Sequence, residues 1–128
     1  MSSKTKLLIV DDDPDIRRGL AARLKAVGYE PTFAVDAVSA ISAAVRDKPD
    51  LILLDIGLPG GDGFLVMQRL QNLAPLMGVP IIIVSAREPS THEKKAIAAG
   101  AREYFQKPID IDRLLTAIRN ALDVGLQA

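Results

Sequence analysis

The chain has no cysteine among its 128 residues, which excludes disulfides, thiolate catalysis and thiolate metal sites. Its one histidine, His92, lies in a polar helical stretch without partners at metal-ligand spacing, so it is read as solvated and outside any site. No apolar run reaches membrane-spanning length and no signal peptide is evident; a cytoplasmic protein without membrane insertion is expected. Neither sign of charge is in surplus, with 16 Lys and Arg against 16 Asp and Glu. The basic residues form no continuous run, so direct nucleic-acid binding is not expected. Repeats and low-complexity segments are also missing. What remains is a chain 48% hydrophobic, enough for one domain with a substantial core and too short for two of ordinary size. Residues 4–124 are taken as that domain, with short tails at 1–3 and 125–128.

Hydrophobic periodicity predicts strands and helices in strict alternation. Strands are expected at Lys6 to Val10, Tyr29 to Ala34, Leu51 to Leu54, Ile81 to Val84 and Tyr104 to Gln106. Helices are expected at Pro14 to Val27, Asp36 to Arg46, Phe64 to Leu73, Thr91 to Ala99 and Asp110 to Val124. Asp13 before Pro14 is a cap followed by proline at the first helical position, and Gly28 ends that helix. The inward faces read as Ile16, Leu20, Leu24 and Val27 in the first helix, Ala37, Ile41, Ala44 and Val45 in the second, and Ile111, Leu114, Leu115, Ile118 and Leu122 in the last. Leu58 through Gly63 is turn chemistry, and Gly60-Gly61 is a turn rather than a phosphate cradle, because a P-loop's lysine and spacing are missing. Leu51 to Leu54 is apolar at successive positions, as a central strand covered on both faces must be. The alternation implies an α/β fold with a doubly wound parallel sheet and right-handed crossovers.

Such sheets point all their strand C-termini to one edge, where ligands bind. Three apolar runs end there in polar residues: Val10 runs into Asp11 and Asp12, Leu54 into Asp55, and Val84 into Ser85. With Lys107 after the fifth strand, the edge gathers three acids, a hydroxyl and an ammonium. Crowded carboxylates repel one another unless a cation joins them, and an oxygen-rich acidic site with few ligands suits Mg²⁺, so a divalent ion is expected. One carboxylate can then attack a phosphoryl group while Lys107 and Ser85 stabilise its equatorial oxygens.

With these motifs in order, the chain resembles a receiver domain of two-component response regulators from about Lys4 to Leu122. Leu8-Ile-Val-Asp11-Asp12 is similar to that family's acidic pair, Asp50-Leu-Ile-Leu-Leu-Asp55-Ile-Gly-Leu-Pro59 through Gly63 to its phosphoacceptor segment, and Val84-Ser85-Ala86 and Lys107-Pro108 to its later motifs. The resemblance implies a flavodoxin-like (βα)5 fold with strand order 2-1-3-4-5. It implies Asp55 as phosphoacceptor, with Lys107 and Ser85 assisting. It implies Mg²⁺ or Mn²⁺ held by Asp12, Asp55 and the Gly57 carbonyl, with Asp11 acting through water, and Ser85 and Tyr104 as a switch pair. The hydroxyl then moves toward the phosphoryl group and the ring turns inward, remodelling the surface of the fourth helix, fifth strand and fifth helix. It implies a signalling domain rather than an enzyme, one that assists its own phosphorylation and dephosphorylation. Its partners are a sensor histidine kinase or histidine phosphotransfer protein, and a downstream effector or an effector domain absent from this chain. Kinase specificity is assigned to the first helix and the loop after Lys107. The Lys107–Pro108 bond is implied to be cis, whereas the sequence alone favours trans.

Each element has an ordinary explanation in isolation: a helix cap at Asp11 to Asp13, a strand-end turn former at Asp55, a loop lysine at Lys107, a strand-end hydroxyl at Ser85 and a packed aromatic at Tyr104. Their joint order and spacing singles them out. Asp11-x-Asp13 also resembles the nucleophile motif of haloacid-dehalogenase-type phosphatases, but that reading leaves Asp55 unexplained and lacks the acidic pair near the C-terminus. A receiver-like interaction module that is never phosphorylated is a third reading, opposed by the intact key residues. Arg102-Glu103 replaces the two aspartates common in receivers that dimerise to activate transcription. Gly57 and Arg87 occupy positions through which the family tunes acyl-phosphate lifetime.

Overall fold

The computed structural model describes residues 4–58 and 63–127. Its elements alternate as β1 (Lys6–Val10), α1 (Pro14–Ala26), β2 (Glu30–Ala34), α2 (Ala37–Asp47), β3 (Leu51–Leu54), α3 (Gly63–Asn72), β4 (Ile81–Ser85), α4 (Pro89–Ala98), β5 (Glu103–Gln106) and α5 (Ile111–Gln127). The strands pair in parallel in the order β2-β1-β3-β4-β5. This is the doubly wound arrangement that the alternation and the resemblance imply.

Strand side chains alternate between two faces, and two cores result. Leu8, Val10, Ile52, Leu54 and Ile83 pack under α2, α3 and α4, while Leu7, Ile9, Leu51, Leu53 and Ile82 pack under α1 and α5. Both faces are therefore covered, which is why β1, β3 and β4 read as continuous apolar runs. Caps explain where two helices begin. The Asp13 carboxylate accepts from the Asp15 amide with Pro14 next in the chain, and Asp36 forms a reciprocal capping box with Ser39.

Two residues expected to face inward do not. Val27 is 53% exposed because it caps α1 instead of continuing it, with Gly28 at φ +94° turning the chain away. Val45 is 44% exposed, and Ala40 and Ala43 are buried instead. The seam of α2 is built from alanines, whose small side chains let the helix lie close to the sheet. A short 3-10 turn at Ala74–Leu76, which follows α3 in the chain and is absent from the expected elements, buries Leu76 in the core beneath α2, α3 and α4. Helix α4 is covered least, since Ala96 is its one buried residue and Ile97 is 45% exposed. The expected Gly60-Gly61 turn and the tail residues 1–3 and 128 lie outside the described residues.

Gly63 opens α3 against the backbone of Ile56. A methyl group at Gly63 would stand 2.6 Å from the Ile56 carbonyl oxygen, so only glycine lets the helix start here.

Candidate functional site

Backbone hydrogen bonds extend the sheet one residue beyond the apolar strands. The Asp11 amide donates to the Ala34 carbonyl at 3.1 Å, the Asp55 amide to Val10 at 3.0 Å and the Lys107 amide to Ser85 at 2.8 Å. Each polar residue thus inherits the rigidity of a strand while standing at its open end, and the side chains meet. Lys107 Nζ donates to Asp11 Oδ2 at 2.7 Å and to Asp55 Oδ2 at 3.1 Å. The remaining oxygens are held by amides: Asp13 N donates to Asp11 Oδ1 at 2.9 Å and Gly57 N to Asp55 Oδ1 at 2.8 Å.

Asp11, Asp55 and Ser85 are buried, while Asp12 is exposed at the rim. Carboxylate oxygens of Asp11, Asp12 and Asp55 lie within 4.8 Å of one another, a grouping able to hold a metal ion. Three carboxylates here face one ammonium. The donors are hard oxygens, and the charge balance leaves room for a divalent cation. Burial works against the Lys107 ammonium, but hydrogen bonds to Asp11 and Asp55 and the charges of both outweigh it, so its pKa lies above the ordinary 10.5. Lys107 is therefore a fixed cation at neutral pH.

Ser85 and Tyr104 meet through Arg87. The Arg87 amide donates to Ser85 Oγ at 3.2 Å, and the Tyr104 hydroxyl donates to the Arg87 carbonyl at 2.7 Å. Burial pushes the Tyr104 phenol above its usual 10.0, with the Ser85 hydroxyl pulling in the other direction. The ring of Tyr104 is packed inward, against the core beneath α2, α3 and α4. The Lys107–Pro108 bond is cis.

Asp11, Asp12, Asp55 and Lys107 are brought together at one edge, the Gly57 amide lies against Asp55, and Ser85 and Tyr104 are joined to each other through Arg87. A Cβ built on Gly57 would be 3.4 Å from Asp55 Oδ1 and 3.5 Å from Arg87 Nε, so Arg87 reaches the rim beside Asp55. One contact was not evident from the sequence: Arg17 donates from its guanidinium to the Asp11 carbonyl at 2.8 Å, tying α1 to the end of β1. A cation in the first turn and a half of a helix that follows an acidic cluster is the only signal for it. His92 takes no part in the acidic cluster, but the expectation that it is merely solvated is incorrect. It is half-buried on α4 and stacks on Phe64 of α3, with centroids 6.5 Å apart and planes 5° apart, while Lys95 Nζ lies 4.4 Å over the same ring. Helical spacing places His92 and Lys95 on one face of α4, where a neighbouring aromatic can receive both.

No helix among the described residues is long and apolar enough to cross a membrane. Residues 7–119 match the response regulator receiver domain family. The DNA-binding dual master transcriptional regulator RpaA of Synechocystis is 35% identical over 91% of this chain and 48% of its own length. The protein PilH of Pseudomonas aeruginosa is 34% identical over 91% of this chain and 97% of its own. The chain spans about half the length of RpaA and, with 51% covered, of the transcriptional regulator KdpE of Mycobacterium tuberculosis. A CheY-like receiver domain from Methanospirillum hungatei superimposes with a TM-score of 0.89 and 30% identity over 98% of both chains. Fold, sequence and the acids at the sheet's open edge agree: the chain belongs to the response regulator receiver domain family and is a phosphoacceptor signalling switch.

Proposed function

We propose that residues 4–124 act as a receiver unit in which Asp55 takes a phosphoryl group from a sensor histidine kinase or a histidine phosphotransfer protein. The observation that carries this reading is Lys107, held between Asp11 and Asp55 at 2.7 and 3.1 Å. An Asp55 oxygen attacks phosphorus as the bond from phosphorus to the donor nitrogen breaks, and the electron pair leaves with that nitrogen. The product is an acyl phosphate. Lys107 moves from neutralising two carboxylates to neutralising phosphoryl oxygens, a preorganised charge that needs little rearrangement. Asp11, Asp12, Asp55 and the Gly57 carbonyl would hold Mg²⁺ or Mn²⁺, Asp11 through water. The ion supplies positive charge against the crowded acids and the incoming phosphoryl group. The domain assists its own phosphorylation and hydrolysis and is not an enzyme acting on other substrates. Output passes to a separate protein or to an effector domain of the kind that the added length of the transcriptional regulators RpaA and KdpE supplies.

Because Ser85 Oγ already accepts from the Arg87 amide, the hydroxyl proton is left to donate, and a phosphoryl oxygen on Asp55 offers an anionic acceptor. That contact exists in one state only, which is what a population shift requires. Pulling Ser85 toward Asp55 draws on the Arg87 backbone and hence on Tyr104. Beryllofluoride with Mg²⁺, standing in for the phosphoryl group, is expected to shift amide NMR signals from Ser85 through about Ile118. Shifts confined to residues touching the anion would remove Ser85 and Tyr104 from the switch.

Arg87 is expected to set the lifetime of the phosphorylated state. It offers a cation beside Gly57 but no acid or amide to orient an attacking water, so self-dephosphorylation is slow. Arg87→Glu supplies such a group and should raise the hydrolysis rate on the order of tenfold. Indistinguishable decay in wild type, Arg87→Ala and Arg87→Glu would show that the side chain does not act on the phosphoryl group.

A further inference from the structure

On the far flank of α1, a groove of about 450 Å³ runs between the helix and β2, which is the open edge of the sheet. Its apolar part comes from Ala21, Ala22 and the 43% exposed Phe33; its polar part comes from Arg17, Arg18 and Lys25. No acid lines it. Asp15 is the nearby carboxylate, 3.8 Å from Arg18, and both side chains are more than four-fifths exposed, so that pairing is solvated and easily exchanged. Nor, among the described residues, does any after Lys107 line the groove, so it leaves out the loop that the family resemblance assigns, together with the first helix, to kinase specificity. The chain as a whole carries no net charge, so three cations around one aromatic are a local excess.

We infer that this groove is a docking site for an acidic amphipathic helix of a partner protein, distinct from the phosphodonor. An apolar ridge of that helix would cover Phe33 and Ala22, while carboxylates on its flanks would meet Arg18 and Lys25, the helix-in-groove mode of recognition with charge fixing the orientation. Arg17 spends one guanidinium nitrogen on the Asp11 carbonyl, so its position in the groove is set by the sheet.

The test uses a helical peptide with leucines at alternating third and fourth positions and glutamates on both flanks, and a counterpart with lysine in place of each glutamate. The acidic peptide should bind the chain and shift the amide signals of Ala22, Lys25 and Phe33, more weakly as salt rises. Its affinity should fall roughly tenfold or more in Arg18→Glu/Lys25→Glu, a variant that acetyl phosphate should still phosphorylate at the wild-type rate because neither residue belongs to the acidic site. Phe33→Ser should weaken binding without changing its salt dependence. Equal binding by the lysine peptide, or shifts centred elsewhere, would overturn the inference. So would vesicles of phosphatidylglycerol and phosphatidylcholine that bind the groove and displace the acidic peptide, since a lipid surface would then be the occupant.

Discussion

Asp55→Asn is expected to abolish phosphorylation by acetyl phosphate in the presence of Mg²⁺, while the wild-type chain gains one phosphoryl group by intact mass. The amide keeps the shape and the hydrogen bond from Gly57 but loses the nucleophilic charge, so the variant folds and fails. Asp11→Asn and Asp12→Asn should have a different signature, with weaker Mg²⁺ binding and slower phosphorylation but the same modified residue, because they belong to the charge cluster and do not attack. Asp11 also carries the shorter of the two Lys107 contacts, at 2.7 Å against 3.1 Å for Asp55. Asp11→Asn should therefore also loosen the ammonium. Full phosphorylation of Asp55→Asn with none of Asp11→Asn would transfer the nucleophile's role to Asp11 and restore the phosphatase-like reading. Continuing turnover of small phosphate esters would point the same way.

The same chemical change at two glycines is expected to have opposite effects on stability. Gly63→Ala drives a methyl into the Ile56 backbone, 2.6 Å from the carbonyl oxygen and 2.8 Å from its carbon. Neither atom can swing aside as a flexible side chain could, and Ile56 is buried directly after Asp55. Overpacking of this kind costs about 3 kcal/mol, which in a chain of this size lowers the melting midpoint by roughly ten degrees. Gly19→Ala lies within α1, and the added methyl meets nothing within 4 Å. There the substitution removes glycine's entropic cost in a helix and stabilises by about 0.5–1 kcal/mol. Thermal and urea unfolding measure both. Equal effects at the two positions would mean that α3 can shift off Ile56, and the close approach would lose its significance.

The parts of this molecule that could be read from the sequence are those carried by side-chain identity. Leu51 to Leu54 announced a strand buried on both faces, Asp13 and Pro14 announced a helix start, and the acids following Val10 and Leu54 announced a common edge. The parts that could not be read are carried by backbone atoms or by small residues. Arg87 links Ser85 to Tyr104 through its amide and its carbonyl, groups that every residue possesses, so no sequence pattern marks them. Ala40 and Ala43 form the seam of α2, yet alanine is compatible with either face, and the more hydrophobic Val45 drew the expected stripe around the helix. His92 looked solvated because its neighbours in sequence are polar. Its ring partner, Phe64, belongs to another helix.

The thin burial of α4 has an energetic consequence. One buried alanine and a first turn without a side-chain cap at Glu88 tie this helix to the core far more weakly than the paired strands are tied to one another. The contact of Phe64 with His92 and Lys95 holds it sideways, against α3. Its opening free energy is therefore a fraction of that for unfolding the whole domain. On the switch role proposed for Ser85, a single new hydrogen bond there, small on the scale of global stability, would be large against the restraint on the adjoining helix. The sheet would stay rigid enough to hold the acids in place, while the segment next to Ser85 would move at a cost that one phosphoryl group could meet.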